Sequence, residues 1–453
     1  MSAPGRPESD DRRAQHTGAP ARAKSRLPPG AFLGGAKSRL LPASIPFRFF
    51  GAAIAFHLIA WLTLIAGAAD LPAFAGGPGP LLAALHLVTL GVLVMSAIGA
   101  SLQLLPVATR QAVGAPTRAP ALIWWLYTPG VACLAFGMGA VQPALAFAGA
   151  TAVALALAGF AALMARNLRG ARGMPAVVAH GWAALGCLVV ALATALSMVW
   201  AWLGAPPLER ATALALHVAF AAYGFMGLLA LGLANILVPM FALAPNPPER
   251  PALASCALAV SALLLAAAAA FGVAPTALRL VAVALGVAAV ALHLRAMRGA
   301  LRSGMRRELG RSFVLVRFAW AMLVASLALA AALVLDVPLS GLGALFGLTL
   351  IGGWLLSFLL GILQRILPFL ASMHASGRTA QGRRPPTPSA MTAGRPLAWH
   401  FGCHFVALAG LALAIVTGSA WIAATAAAVG TIGAVALGAF FVVLLRRLGR
   451  GAA

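Results

Sequence analysis

Acidic residues are scarce in this chain. Glu8, Asp10, Asp11, Asp70, Glu209, Glu249, Glu308 and Asp336 are all it has among 453 residues, and none lies inside an apolar run. That excludes paired-carboxylate chemistry within those runs, and it removes the buried acids on which intramembrane proton paths usually depend. Cysteine is scarcer still. Cys133, Cys187, Cys256 and Cys403 stand alone with no C-x-x-C spacing, so neither a zinc knuckle nor a thiol redox pair is encoded. Each reads as a small buried hydrophobe. No Walker loop, H-E-x-x-H or nucleophile elbow is present. Residues 1–47 are polar and rich in Pro and Arg, and they lack the apolar core of about 7–15 residues that a secretory signal needs. They read as a disordered basic cytoplasmic tail.

Nearly everything else is apolar. Hydrophobic residues make up 62% of the chain and charged residues 9%, with a mean hydropathy of +0.97. A soluble domain cannot bury that much apolar surface, so lipid is the solvent for most of it. The net charge of +24 resides largely in arginines beside apolar runs. That placement points to orientation in a bilayer and contact with anionic lipid rather than to nucleic acid. At about 20 residues per crossing, the chain yields twelve spans. They lie near 48–70, 80–107, 119–140, 142–166, 175–203, 211–244, 250–273, 275–297, 313–336, 340–371, 397–418 and 420–446. Arginine-bearing connections alternate with connections carrying Asp70, the Glu209/Arg210 pair, Asp336 or no charge. By the positive-inside rule both termini face the cytoplasm. The expectation is an all-α polytopic protein of a bacterial inner (cytoplasmic) membrane, partnered by the lipid bilayer. A homo-oligomer stays open. The connection near 372–396, rich in Pro, Arg, Ser and Thr, reads as flexible.

One motif returns three times: Gly91-x7-Gly99-x6-Pro106, Gly224-x7-Gly232-x6-Pro239 and Gly353-x7-Gly361-x6-Pro368. The prolines are 133 and 129 residues apart, and Gln103, Asn235 and Gln364 precede them. A repeat of that length holds about four spanning helices. The chain therefore divides into three pseudo-symmetric four-helix units, 48–166, 175–297 and 313–446. The glycines allow either close helix approach or a flat ligand against the backbone, and the prolines bend or end their helices.

Histidine is the chemistry the apolar region offers. His86 lies 20 residues before Pro106 and His217 lies 22 before Pro239, whereas the third unit has Leu348 and Phe346 there. Ionisable groups inside a bilayer are functional candidates, and neutral imidazole ligates haem iron and copper. His86 and His217 are thus candidate cofactor ligands, with His217 also a candidate copper ligand. The alternative is a hydrogen-bonded interhelical histidine. His400 and His404, four apart, share a helix face and form a second candidate metal pair at another depth. Cys403 is turned away from them. His57, His180 and His293 read as interfacial residues. Gln103, Asn235, Gln364 and Arg365 read as helix-end hydrogen-bonding groups.

Twelve spans in three units, with histidines on spans two and six, resemble the catalytic-subunit superfamily of haem–copper oxidases and nitric oxide reductases. The segment from His217 through Tyr223-Gly-Phe-Met-Gly227 to Pro239 resembles that family's sixth helix, and His86-Leu-Val-Thr-Leu-Gly91 resembles its second. Ser340 to Pro368 is similar to its tenth. The resemblance implies haem b and/or copper, with His86 as axial ligand and His217 as copper or second haem ligand. It also implies a respiratory or electron-transfer partner. The chain departs from the family in two places. Its tenth span has no histidine before His374, and its seventh, Ala252–Ala270, has none at all. A complete oxygen-reducing centre is therefore not expected. The NnrS-like relatives, haem- and copper-containing proteins linked to nitrosative stress, fit better. A cofactor-free transporter or permease, or a non-catalytic assembly partner of a respiratory complex, remains the alternative.

Overall fold

A computed structural model describes residues 1–2, 41–111, 118–204, 206–376 and 386–450. Most of the expected basic tail and part of the 372–396 connection lie outside these described residues. Twelve helices are long and apolar enough to cross a membrane. They are α1 Ser44–Ala66, α2 Pro80–Ala108, α3 Arg118–Gly139, α4 Pro143–Arg169, α5 Pro175–Trp200 and α6 Arg210–Ala242. The others are α7 Glu249–Ala270, α8 Pro275–Ser303, α9 Gly310–Val334, α10 Leu342–Ser376, α11 Gly394–Thr417 and α12 Ala420–Gly449. No strand occurs among the described residues. The sequence expectation of an all-α polytopic protein with about twelve spans holds.

Local chemistry sets many of the helix ends. Pro80, Pro143, Pro175 and Pro275 open α2, α4, α5 and α8, where a missing N–H costs nothing. Glu209 caps α6, its carboxylate accepting from the backbone N–H groups of Ala211 and Thr212. Glu249, at the start of α7, accepts from the backbone N–H of Ala176 at 2.8 Å and so satisfies the first turn of α5 as well. Gly418 ends α11 in the left-handed conformation, φ 70°. Pro106, Pro239 and Pro368 do not end their helices. α2, α6 and α10 run on past them.

The packing partners recur every four helices. α3 pairs with α4, α7 with α8 and α11 with α12 as tight antiparallel hairpins, while α1, α5 and α9 lie against α2, α6 and α10. The chain closes on itself where α12 meets α1. Burial sorts the helices. Of the most apolar stretch, 83% is buried in α6, 67% in α2 and 61% in α10, against 22–44% in the other nine. The three motif-bearing helices are the centre of the bundle. The others turn large apolar side chains outward, among them Leu122, Trp125, Phe136, Val189 and Trp421, as a lipid-facing surface does.

The same three helices share a feature that hydropathy does not encode. Each contains a widened π-helical stretch: Leu87–Val94 in α2, Ala219–Leu228 in α6 and Leu348–Leu356 in α10. The first glycine of each motif copy falls inside it. A Cβ on Gly91 would meet Phe56 of α1 at 2.8 Å, one on Gly224 would meet Cys187 of α5 at 2.7 Å, and one on Gly353 would meet Met322 of α9 at 2.9 Å. Gly99, Gly232 and Gly361 repeat the arrangement against Phe49, His180 and Ser312. The repeated glycines therefore serve close helix approach.

Candidate functional site

Between the π-helical stretches of α2, α6 and α10 lies a cavity of about 580 Å³. That volume is within the range of small-molecule and cofactor pockets. Its wall is mostly Leu, Val, Ala and Gly from these helices, closed on the sides by α1, α3, α4, α5 and α11. The connections before α2 and α6 reach it through Phe74, Gly76, Trp202 and Leu208, so the cavity lies toward that end of the bundle. The same end carries Asp70 and Glu209, together with Arg210 and Arg279.

His86 and His217 both line this cavity. The fold thus brings the two sequence candidates together. Each ring is tethered by one nitrogen. His86 Nδ1 lies 3.0 Å from the carbonyl of Leu82, one turn back on α2. His217 Nδ1 lies 3.1 Å from the carbonyl of Ala191 on α5. A carbonyl only accepts, so each Nδ1 carries the proton in the neutral ring and each Nε2 keeps its lone pair. Neither Nε2 is a buried orphan, because both rings open on the cavity. An imidazole held through Nδ1–H with Nε2 free is the form in which histidine ligates a metal. α10 brings Phe346 and Leu348 to the wall but no imidazole, and α7 does not reach it. The remaining chemistry of the wall is the thioethers of Met138, Met198 and Met226, the hydroxyls of Thr89 and Ser197, and the guanidinium of Arg210.

His400 and His404 lie elsewhere. They do not share a site with His217 but meet His57, with ring centroids 5.9 Å apart for His57 and His400 and 6.0 Å for His400 and His404. All three are at most 2% exposed. His57 stands mid-helix in α1, so the interfacial reading of that residue fails. His293 is also interior, 3% exposed and edge-on to Trp320. His180 is buried against α6, where Gly232 makes room for it. Asn235 donates to Leu231 one turn back. Arg365 reaches Ser312 and the carbonyl of Leu309, holding the start of α9. Among the described residues, no group of three or more His, Cys, Asp and Glu side chains converges as a metal cage would.

No protein-family model and no curated protein matches the chain. The π-helical stretches, the burial of His57 and the presence of Arg210 at the cavity were not foreseen from sequence. The first left no mark in the hydropathy, and the other two depend on helix rotation.

Proposed function

We propose that this chain is an integral membrane haem protein, with the cavity between α2, α6 and α10 as its cofactor site. One observation carries the reading. Two imidazoles from different central helices, each tethered through Nδ1 and open at Nε2, face a single apolar enclosure large enough for a cofactor. His86 and His217 are the iron-ligand candidates, and Met138, Met198 and Met226 offer thioether sulfur along the same wall. Arg210 supplies a positive charge at the wall for an acidic substituent on the ligand. Haem bound there would supply reversible one-electron chemistry and a coordination position for a diatomic gas. The residues themselves orient the ligand and exclude water. The Leu82 and Ala191 carbonyls fix the two rings, and the Leu- and Val-rich wall keeps the surroundings dry.

The reading favours gas binding, sensing or detoxification over energy-conserving oxygen reduction. Among the described residues only two imidazoles line the cavity, from α2 and α6, with none from α7 or α10, and no carboxylate lies among its lining residues. We place the protein in a bacterial cytoplasmic membrane with the arginine-rich end inward, on the alternation of charge between the connections. A haem–copper oxidase-like ancestry with a reduced ligand set accounts for twelve spans and a histidine on each of α2 and α6. A copper-only version would use the same pair of Nε2 atoms.

The test is a reduced-minus-oxidised visible spectrum of the purified protein, together with metal analysis. A Soret and α band with equimolar iron is the expected result. A colourless protein with one copper replaces haem with copper at the pair. A colourless, metal-free protein overturns the proposal and leaves a carrier of apolar molecules, which the cavity's apolar wall also suits.

A further inference from the structure

The buried histidines behind α10 carry a second site, independent of the cavity. His57 of α1 and His400 and His404 of α11 meet there beside Ser357 of α10 and Gly433 of α12. Their hydrogen bonds fix the proton positions. Trp61 Nε1–H donates to His57 Nε2 at 3.0 Å, so in neutral His57 the proton sits on Nδ1. His400 Nδ1 lies 3.0 Å from the carbonyl of Gly433 and must donate to it, which leaves the Nε2 lone pair. Ser357 spends its hydroxyl proton on the carbonyl of Gly352 at 2.9 Å, so His404 Nε2 donates to Ser357 Oγ at 2.8 Å.

Two atoms are left over. His57 Nδ1–H is a buried donor with no acceptor, and His400 Nε2 is a buried acceptor with no donor. They belong to neighbouring rings, yet they do not bond each other at a centroid separation of 5.9 Å. A buried donor and a buried acceptor on neighbouring rings, not bonded to each other, are a pair that one bridging water can satisfy. Leaving both unpaired in an apolar interior is costly.

The site is built rather than incidental. Gly430 and Gly433 of α12 let that helix pack closely around the cluster, since a Cβ on Gly430 would lie 2.4 Å from the Trp61 indole and one on Gly433 would lie 2.8 Å from Cys403 Cβ. A metal suits it poorly, because His57 Nε2 and His404 Nε2 are already committed. The titratable groups facing the gap are the three imidazoles, with Cys403 beside them. α10 and α12 contribute Ser357 and the carbonyls of Gly352 and Gly433.

We propose that His57 and His400 hold one water molecule between them inside the helix bundle, accepting from His57 Nδ1–H and donating to His400 Nε2. The water ties α1 to α11. It also makes His400 Nε2 a hydrated proton acceptor inside the apolar core. Trp61 is the partition between this site and the cavity, since its indole lines the cavity while its N–H holds His57.

The experiment is magic-angle-spinning NMR on the full chain, labelled with ¹⁵N-histidine and reconstituted in phosphatidylcholine bilayers, using transfer of magnetisation from water protons to ring N–H groups. A water-to-Nδ1–H cross peak is expected, lost in His57→Phe. It should persist in His400→Gln, whose amide oxygen reaches the place of Nε2. Melting temperatures of both variants in detergent confirm that they fold. Absence of the cross peak in the unmodified chain overturns the proposal. So does an equivalent of copper that disappears in His400→Gln, which would make the gap a metal site instead.

Discussion

The hydroxyl of Tyr127 donates to the carbonyl of Leu90 at 3.0 Å. Tyr127 is fully buried on α3, and Leu90 lies inside the π-helical stretch of α2. The other tyrosine of the chain, Tyr223, lies inside the π-helical stretch of α6. It donates to Ser326 Oγ of α9 at 3.0 Å, and Ser326 passes the bond to the carbonyl of Leu323 at 2.7 Å. Tyr223 also sits 5.6 Å from Trp354 in the π-helical stretch of α10. Both tyrosines therefore brace the widened turns that form the cavity wall. Such turns are rare and concentrate at functional sites, and in lipid their backbone groups have no water to satisfy them.

Tyr127→Phe should lower stability by about 1 kcal/mol, the worth of one intramembrane hydrogen bond. It should also raise amide exchange specifically over residues 87–94. Denaturation in detergent gives the first quantity and hydrogen-exchange mass spectrometry the second. Unchanged exchange over that stretch would mean that the tyrosine does not hold the π-helical turn.

With the cavity as the proposed haem site, His86→Ala and His217→Ala should each abolish or shift the Soret and α bands while the protein still inserts and melts cooperatively. Both rings line the cavity and are only partly buried, so the losses are of ligation. Absorption spectra and membrane yield measured on the same preparations separate this from misfolding. A spectrum identical to that of the unmodified protein removes the substituted residue from the ligand set.

Gly149→Ala and Gly186→Ala form a matched pair. A Cβ on Gly149 would lie 2.3 Å from the backbone nitrogen of Leu134 on α3, whereas nothing stands within 4 Å of one on Gly186. The first should destabilise the α3–α4 hairpin by about 1–3 kcal/mol through overpacking against main chain. The second should be neutral, or stabilising by up to about 1 kcal/mol through helix propensity. Melting temperatures in one detergent compare them directly.

Glu209 gives a pH-dependent contribution at the start of α6. Hydrogen bonds from the Thr212 backbone N–H, the Thr212 hydroxyl and the Ala211 N–H hold its carboxyl below the usual carboxylate range. The folded form therefore prefers the ionised acid. Its contribution is fully present above the unfolded carboxyl value and fades as pH falls through the lower folded value. Stability measured from pH 7 into the acid range should show this loss in the unmodified chain, and the corresponding slope should vanish in Glu209→Gln. Equal slopes in the two proteins would show that the cap does not titrate with folding.

The glycine motif was legible as a repeat, but its purpose was not. Gly91, Gly224 and Gly353 fit helix approach and ligand approach equally well until Phe56, Cys187 and Met322 are seen pressed against them. His86 and His217 were legible as a pair through their similar distance from Pro106 and Pro239. Their shared cavity was not, because three helices must be rotated together before two side chains face one space. His57 was misjudged for the same reason. Sequence distance from the helix end suggested an interface, yet its ring neighbour His400 arrives from α11, more than three hundred residues away in the chain.

What the sequence determined alone is the twelvefold crossing and the scarcity of acid. Both follow from apolar length and local charge, which a bilayer reads one segment at a time. Which histidines meet, which are tethered and which ring nitrogens stay open was decided only by tertiary structure. Those outcomes depend on helix rotation, and here the π-helical turns and the glycine contacts between helices set that rotation.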